Sequence, residues 1–232
     1  MVESRKKYLL SVVGIIAFIA LALGLQYLFK TLTSRPSVVL TSDECDPPCW
    51  YGIKPEQSNS SQVYEILGNL DEINLVEFSG EYDKNEELKS YYWFFERPTA
   101  DSGGSVYFTN DQVTVIEILT VNSLTLEELF TKLGEPEQIW KEIGYGENRK
   151  YLDVFLLYPN AGYLAEVLLD IEFGDTQVTL KEKTPVHRVA YFAPHRFSEL
   201  WEMQILINIP VTARTGTFTL WQGYGSISLE SE

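Results

Sequence analysis

Residues 59–68 read NSSQVYEILG and residues 125–134 read TLEELFTKLG, at a constant offset of about 66 positions. Both stretches have a helix N-cap residue, a Gln or Glu three positions later as in a capping box, matching apolar positions and a final glycine suited to a left-handed C-cap. The equivalent pairs are Asn59 with Thr125, Gln62 with Glu128, Val63 with Leu129, Tyr64 with Phe130, Leu67 with Leu133 and Gly68 with Gly134. The pattern predicts two short amphipathic helices and favours an internal duplication over chance similarity.

Stretches rich in β-branched and aromatic residues follow each helix and predict strands. They cover 73–78, 88–97, 105–109 and 113–119 in the first half, and 139–143, 151–158, 163–171, 177–183 and 186–192 in the second. Asn110 and Asp111 form a short turn signal that predicts an antiparallel hairpin. A short helix over 196–203 and an extended tail over 217–229 follow. We therefore predict an α+β fold in which two related units, 49–120 and 121–232, each pack short helices on an antiparallel sheet.

The N-terminal segment 9–29, LLSVVGIIAFIALALGLQYLF, contains no charged residue. A helix of about 21 residues is about 31 Å long, which matches a hydrocarbon core of about 30 Å. The tip, 1–8, holds Arg5, Lys6 and Lys7, so the positive-inside rule places it in the cytoplasm and the C-terminal part outside. We predict an uncleaved single-pass signal-anchor in the lipid bilayer of the cell membrane. A cleaved secretory signal and a buried core helix are the alternatives.

Charge is distributed unevenly along a chain of ordinary globular composition. The formal net charge is -15, but the first 35 residues hold 5 of the 18 basic and 1 of the 33 acidic residues. The remainder thus has 13 basic and 32 acidic residues, a balance near -19. Such a surface repels phosphate, which argues against nucleic-acid binding and against peripheral contact with anionic lipid. The acidity favours solubility, with binding of a cation or a basic partner as the alternative.

Cys45 and Cys49 lie in the linker 30–48 and at the start of the first unit, and the chain has no other cysteine. Three residues separate them, including Pro47 and Pro48, so we predict a local disulfide in an oxidising compartment. A redox pair more often has C-x-x-C spacing, and a zinc site needs four ligands. These two alternatives are therefore disfavoured, and we predict no metal and no cofactor.

The chain contains none of the motifs of nucleophilic, zinc-dependent or nucleotide-binding enzymes. His187 and His195 are interpreted as structural residues, and no catalytic residue is predicted. Four aromatic residues near glycines and prolines are candidates for a binding surface that stacks on a peptide or a sugar. They are Trp50, Tyr51, Trp221 and Tyr224.

The pattern (S/T)-x-x-E-(L/V)-x-x-x-L-G-x-P over 125–136 resembles the repeat unit of beta-lactamase inhibitor protein and is similar to the small lipoprotein of the outer-membrane assembly machine. The first copy has Asn69 and Leu70 where a proline would follow. The stretches 48–55, PCWYGIKP, and 221–225, WQGYG, look like a group of uncharacterised bacterial exported proteins. Together these motifs cover about a quarter of the chain. The resemblance implies an envelope binding or scaffolding domain, with no catalytic residues to carry over.

The sequence as a whole favours a membrane-anchored, extracytoplasmic binding or scaffolding domain that is not an enzyme. Its expected partner is a protein or peptide of the cell envelope. Enzymatic activity stays open, and the alternative is a cell-envelope hydrolase that acts on wall or polysaccharide. Such an enzyme would need a deep cleft that gathers carboxylates or His187 with strongly shifted pKa values. A structural spacer or ligand sensor is a third possibility.

Overall fold

The computed structural model describes residues 18–19, 21, 37–41, 45–70, 73, 79–82, 88–95, 103–120, 123–145, 149–203, 205–207, 214 and 216–229. The chain divides into two compact units, Met1–Arg35 and Pro36–Glu232. In the first unit the described residues are Phe18, Ile19 and Leu21, which are helical and exposed.

The second unit consists of short helices and many strands. Its helices are α1 (Val38–Thr41), α2 (Ser60–Gly68), α3 (Leu126–Leu133) and α4 (Phe197–Glu202), with a 3-10 turn at Pro194–Arg196. The strands of the first half are β1 (Ser79–Tyr82), β2 (Leu88–Phe94), β3 (Gly103–Thr109) and β4 (Gln112–Leu119). Those of the second half are β5 (Gln138–Tyr145), β6 (Lys150–Tyr158), β7 (Tyr163–Ile171), β8 (Gln177–Leu180), β9 (Arg188–Phe192), β10 (Phe218–Leu220) and β11 (Gly225–Ser228).

One antiparallel sheet of nine strands dominates the second unit, in the order β1-β2-β3-β4-β9-β7-β6-β5-β10. The first half supplies β1 to β4 from one edge, and the second half supplies the remaining strands from the other edge. The halves meet where β4 pairs with β9, with Ile116 opposite Tyr191. Strand β11 pairs with β8 in a separate two-stranded sheet.

Our fold-class prediction was wrong, because the two predicted units, 49–120 and 121–232, do not form separate structures. Their strands merge into one sheet through the β4–β9 pairing. The alternation of side chains along a strand reports which face is buried, but it does not say which strand edges pair.

Eight of the predicted strands match β2 to β9 to within three residues at each end. The predicted strand 73–78 lies outside the described residues except for Ile73, and β1 was not predicted. The turn at Asn110 and Asp111 joins β3 to β4 with positive φ angles of 51° and 63°.

The fold-class prediction also included a transmembrane helix, and this part of the prediction is corrected as well. Within the described residues, no helix is long and apolar enough to cross a membrane. Apart from Phe18, Ile19 and Leu21, the predicted anchor 9–29 lies outside the described part of the chain.

Both predicted capping boxes are present. At α2, Asn59 Oδ1 accepts a hydrogen bond from the Gln62 amide at 3.0 Å, and Gln62 Oε1 accepts from the Asn59 amide at 2.9 Å. At α3, Glu128 Oε2 accepts from the Thr125 amide at 2.8 Å, and Thr125 Oγ1 accepts in return at 3.4 Å. Each box satisfies amides that a helix N-terminus otherwise leaves unpaired.

The two terminal glycines differ, although the sequence predicts the same role for them. Gly134 caps α3 with a φ of +82°. Gly68 is still part of α2, and its successor Asn69 caps the helix with a φ of -100° and donates a side-chain hydrogen bond to the Glu65 carbonyl at 2.9 Å. The predicted left-handed glycine was therefore wrong for Gly68, because an asparagine cap closes that helix.

The two faces of the sheet carry separate apolar clusters. The helix face packs α2 and α3 on strand residues that alternate inward, such as Ile116 and Ile118. The opposite face, which we call the C-terminal face, packs strand residues such as Val115 and Phe155 under Leu200 and Trp201 of α4. Sequential residues of one strand therefore serve two different layers.

Candidate functional site

Five charged residues gather on the C-terminal face, and we call them the charge cluster. They are Glu117 on β4, Glu142 on β5, Asp153 on β6, Glu166 on β7 and Arg188 on β9. The register places Asp153 opposite Glu142 and Glu166 opposite Arg188. Glu117, Glu142 and Asp153 are each 8% exposed, so the cluster is almost removed from water.

Arg188 organises the centre of the charge cluster with three directed hydrogen bonds. Its Nε donates to Glu166 Oε2 at 2.6 Å, its Nη1 donates to Glu117 Oε1, and its Nη2 donates to the Leu206 carbonyl at 2.8 Å. Burial by itself lowers the pKa of Arg188, but the two carboxylates outweigh it and raise the pKa above its ordinary value. The guanidinium therefore stays charged and holds β4, β7 and the segment 205–207 together.

Glu117 has a second set of partners on the neighbouring strand β3. Its Oε2 accepts hydrogen bonds from Ser105 Oγ at 3.1 Å and from the Tyr107 hydroxyl at 3.2 Å. Burial, assisted by the charge of Glu117, raises the pKa of Tyr107 to about 12. The phenol therefore remains a donor throughout the physiological range.

Asp153 is the unsatisfied member of the charge cluster. Its Oδ1 is buried and has no hydrogen-bond partner among the described residues. Burial and the nearby Glu166 raise the pKa of Asp153 to about 8, with Glu142 adding to the shift and Arg188 opposing it. At neutral pH this carboxyl group is mainly protonated, because ionisation would place another negative charge beside Glu142 and Glu166.

The charge cluster is linked to the C-terminal part of the chain through Glu142. Glu142 Oε2 accepts a hydrogen bond from the Gly216 amide at 2.8 Å. A side chain at Gly216 would not fit, since a Cβ there would lie 2.1 Å from the Lys141 carbonyl oxygen. Two residues later, β10 begins at Phe218 and pairs with β5. The hydrogen bond thus fixes the entry of the chain into β10.

The charge cluster can bind a proton at Asp153, and its hydrogen bonds tie neighbouring strands together. Within the described ranges, no group of three or more His, Cys, Asp or Glu side chains is placed to hold a metal ion.

A surface cavity of about 610 Å³ lies elsewhere, beside the loop after β7. It is lined by Arg149, Lys150, Asp170, Ile171, Glu172, Phe173, Gly174 and Asp175, and none of these belongs to the charge cluster.

The predicted disulfide is present, and the aromatic residues after it belong largely to the core. Cys45 and Cys49 are bonded, with their Cα atoms 5.6 Å apart. Trp50 is fully buried and stacks on Trp93 at a centroid distance of 5.5 Å, so it cannot contribute to the predicted binding surface. Tyr51 is half-buried and packs edge-on against Trp50 at 4.9 Å.

The other two predicted aromatic residues form a partly exposed group with Phe130 of α3, which we call the aromatic patch. The Phe130 ring lies 5.4 Å from Trp221 and 5.5 Å from Tyr224, and Trp221 lies 6.1 Å from Tyr224. Tyr224 is 37% exposed, whereas Trp221 is half-buried. The sequence identified Phe130 only as an apolar position of a helix. Its contact with residues 221–224 depends on the tertiary structure, which no local sequence pattern reveals.

Acidic side chains surround the aromatic patch. Burial raises the pKa of the Tyr224 hydroxyl, and the charges of Glu182, Glu127 and Glu135 raise it further, while Lys183 opposes them. Lys183 is itself paired with Glu127. The electrostatic environment of Tyr224 is therefore negative.

The C-terminal end of α3 adjoins the aromatic patch. The Tyr158 hydroxyl donates to the Gly134 carbonyl at 2.9 Å, and the Tyr163 hydroxyl donates to the Leu133 carbonyl at 2.5 Å. Burial, followed by the influence of Tyr163, Glu135 and Tyr224, raises the pKa of Tyr158. These phenols stay protonated and satisfy carbonyls that the end of a helix leaves unpaired.

The side chain of His195 lies beside Glu56, whereas the backbone of His187 contacts Glu166 of the charge cluster. His195 is 70% exposed and lies 3.0 Å from a Glu56 carboxylate oxygen. His187 is half-buried just before β9, and its amide donates to the Glu166 carbonyl at 2.7 Å. These contacts are those of ordinary structural residues.

No protein-family model matches the chain, and comparison with curated proteins gives no match. Two similar solved structures are an extracellular protein containing an SCP domain from Bacillus anthracis str. Ames and a cysteine-rich secretory protein from Staphylococcus aureus subsp. aureus Mu50. The first has 8% identity and a TM-score of 0.33, covering 78% of this chain and 53% of that one. The second has 10% identity and a TM-score of 0.29, covering 74% and 56%.

This chain thus spans little more than half the length of those two proteins. The resemblance of residues 125–136 to beta-lactamase inhibitor protein stays a prediction.

Proposed function

We propose that this protein is an extracytoplasmic binding domain whose partner is a protein or peptide of the cell envelope, and that the aromatic patch is the contact surface. The observation that carries the proposal is the packing of Phe130, Trp221 and Tyr224 into one partly exposed group. Aromatic side chains that combine an apolar face with a polar tip are enriched at protein interfaces.

Regular secondary structure holds the residues of the aromatic patch in place. Phe130 belongs to α3, and residues 221–224 lie between β10 and β11, which pair with β5 and β8. A surface that is fixed before binding loses less conformational entropy when a partner arrives. This arrangement favours recognition of a defined partner.

An exposed sheet edge next to the patch extends the proposed contact surface. Within the described part of the chain, strand β10 ends the order of the nine-stranded sheet. Its Phe218, which packs on Trp201, is 48% exposed, and its Leu220 is 71% exposed. An extended peptide can add to such an edge through main-chain hydrogen bonds while its side chains meet neighbouring pockets. Residues 218–224 together offer both kinds of contact.

The proposed compartment rests on the bond between Cys45 and Cys49. Structural disulfides persist in secreted and envelope proteins, whereas cytosolic thiols are kept reduced. Thiol alkylation of freshly lysed cells followed by mass spectrometry tests this point. We expect both cysteines to react only after reduction, and rapid alkylation without a reductant would place the domain in the cytosol.

Affinity capture from a solubilised envelope extract tests the binding function. The wild-type chain is compared with Tyr224→Ala, and Tyr145→Ala is the matched control because Tyr145 is 76% exposed and lies at the end of β5. We expect the same protein to be recovered with the wild type and the control, and to be depleted about tenfold with Tyr224→Ala, as for an interface hot spot. Equal recovery with all three proteins would remove the aromatic patch as the binding surface.

A further inference from the structure

We propose that the aromatic patch recognises a positively charged segment of its partner, with a Lys or Arg side chain placed over the ring of Tyr224. The inference rests on the proposed binding function and specifies the chemistry of the partner. Charge complementarity, the adjoining helix end and the partial exposure of Tyr224 support it.

The charged groups that act on Tyr224 are mostly negative. The carboxylates of Glu127, Glu135 and Glu182 act on its hydroxyl against the single ammonium group of Lys183. Three carboxylates therefore act on the hydroxyl against one ammonium group, and that ammonium group is paired with Glu127. Glu135 and Glu182 are exposed and make no salt bridge within the described part of the chain.

The C-terminal end of α3 adjoins the aromatic patch. Aligned peptide dipoles give the C-terminal end of a helix a partial negative charge, which favours a cation nearby. Tyr158 connects this end to the patch, since its hydroxyl binds the Gly134 carbonyl and its pKa responds to both Glu135 and Tyr224. Lys132 already lies in the last turn of α3, and the helix end and the acidic side chains attract the same sign of charge.

The side chain of Tyr224 is partly exposed and fixed by its neighbours. Tyr224 is 37% exposed, and its neighbours Phe130 and Trp221 hold it in place. A cation over an aromatic face is attracted by the quadrupole of the ring. The same protein makes this contact elsewhere, with the Arg214 guanidinium 5.2 Å from the centroid of the Trp201 ring.

Alternative partners fit the surroundings less well. An acidic segment would meet Glu135 and Glu182 with repulsion and gain nothing from the end of α3. A neutral sugar could stack on Tyr224, but it would be indifferent to the charge of the two glutamates. The response of binding to those glutamates therefore separates a basic partner from a neutral one.

Fluorescence anisotropy of labelled nine-residue peptides tests the inference with the purified full chain. The probes are GKGKGKGKG, GRGRGRGRG and the neutral GSGSGSGSG, each titrated at 50 and 200 mM salt. The site variant is Glu135→Gln with Glu182→Gln. The control variant is Glu65→Gln with Glu172→Gln, which removes the same charge from exposed positions on α2 and on the loop after β7.

We expect the basic peptides to bind more tightly than the neutral one, and the site variant to weaken them about tenfold. The control should change the affinity by less than about twofold, because distant exposed charges are screened by salt. Tyr224→Leu, which keeps an apolar side chain without a ring face, should weaken the basic peptides about threefold to fivefold. Equal losses in the site and control variants would show that only net charge matters and would overturn the inference.

The envelope capture described above separates this inference from the proposed function. If the captured partner is lost with Tyr224→Ala but retained with Glu135→Gln and Glu182→Gln, the partner is not basic and the binding function stands. If neither set of variants affects capture, the proposed binding surface itself is wrong. Loss with both sets, together with retention by the control, is the result that we expect.

Discussion

Asp153 and Glu142 lie directly opposite each other on the antiparallel strands β6 and β5, on the C-terminal face of the sheet. Glu142 is tied to the Gly216 amide, whereas Oδ1 of Asp153 has no partner among the described residues. Two buried acids at adjacent positions therefore have different environments. When Asp153 loses its proton, the charge cluster gains one negative charge.

The stability of the protein should fall as the pH rises from about 4 to about 8, because the unfolded chain ionises Asp153 while the folded chain keeps it protonated. The pKa of Asp153 is about 8 in the folded chain, against 3.8 for the unperturbed group. Between these values the folded chain keeps a proton that the unfolded chain releases, so stability decreases with rising pH by up to about 1.4 kcal/mol per pH unit. Below about pH 4 and above about pH 8 the contribution is constant.

Asp153→Asn should remove this pH dependence. Urea unfolding at pH 5, 7 and 9 should show the variant gaining stability over the wild type as the pH rises. Asp170→Asn is the control, since the Asp170 side chain is 76% exposed. Parallel profiles for wild type and Asp153→Asn would mean that Asp153 is ionised in the folded protein throughout.

Ionisation of Asp153 should also loosen the attachment of Gly216. Repulsion between two carboxylates displaces Glu142 from the Gly216 amide, which is its hydrogen-bond partner at 2.8 Å. Hydrogen exchange, corrected for the intrinsic pH dependence, should show lower protection of this amide at pH 9 than at pH 7. The Phe192 amide, which donates to the Gly162 carbonyl at 2.8 Å, serves as the internal reference.

The same experiment on Asp153→Asn supplies the control for the Gly216 amide. Its protection should not change between pH 7 and pH 9, because no additional charge can form at position 153. A pH-dependent loss that persists in the variant would assign the effect to another group.

Arg188→Met should destabilise the fold strongly. The substitution leaves Glu117 and Glu166 buried without their cation, and breaking a buried ion pair in this way typically costs about 3–5 kcal/mol. Lys183→Met, which breaks the exposed pair with Glu127, should leave the urea midpoint unchanged. Similar midpoints for the two variants would show that the Arg188 network contributes little to stability.

The two helix-terminal glycines should respond in opposite directions to alanine. A Cβ at Gly68 would meet no atom within 4 Å, and the residue lies within α2, so Gly68→Ala should raise the free energy of unfolding by about 0.5–1 kcal/mol. Gly134 has a φ of +82° and a ψ of 179°, so Gly134→Ala should lower it by about 1–3 kcal/mol. Thermal unfolding measures both, and a matching sign for the two variants would contradict the structure.

Local signals in the sequence predicted much of the secondary structure. The capping boxes at Asn59 and Thr125 are both present, and the predicted strand over 163–171 has the observed bounds of β7. Capping and strand alternation depend on residues close in sequence, so they can be read without the fold. Gly68 was mispredicted because Asn69, its neighbour, provides a different cap.

The candidate sites were only partly predictable. Trp221 and Tyr224 were identified from their type and their neighbouring glycines, but Trp50, chosen on the same grounds, is a core residue against Trp93. Composition cannot distinguish an exposed aromatic ring from a buried one. The charge cluster was missed because its members are isolated acids and one arginine on five different strands, with no spacing that marks them.

The sequence by itself determined the short helices with their capping boxes, most of the strands, and the pair of cysteines that forms the disulfide, because each of these depends on neighbouring residues. The tertiary structure alone decided that β4 pairs with β9, that Arg188 meets Glu117 and Glu166, and that Phe130 meets Trp221 and Tyr224. These contacts join residues far apart in the chain, and pairing between strand edges follows from packing of the whole sheet rather than from any local pattern.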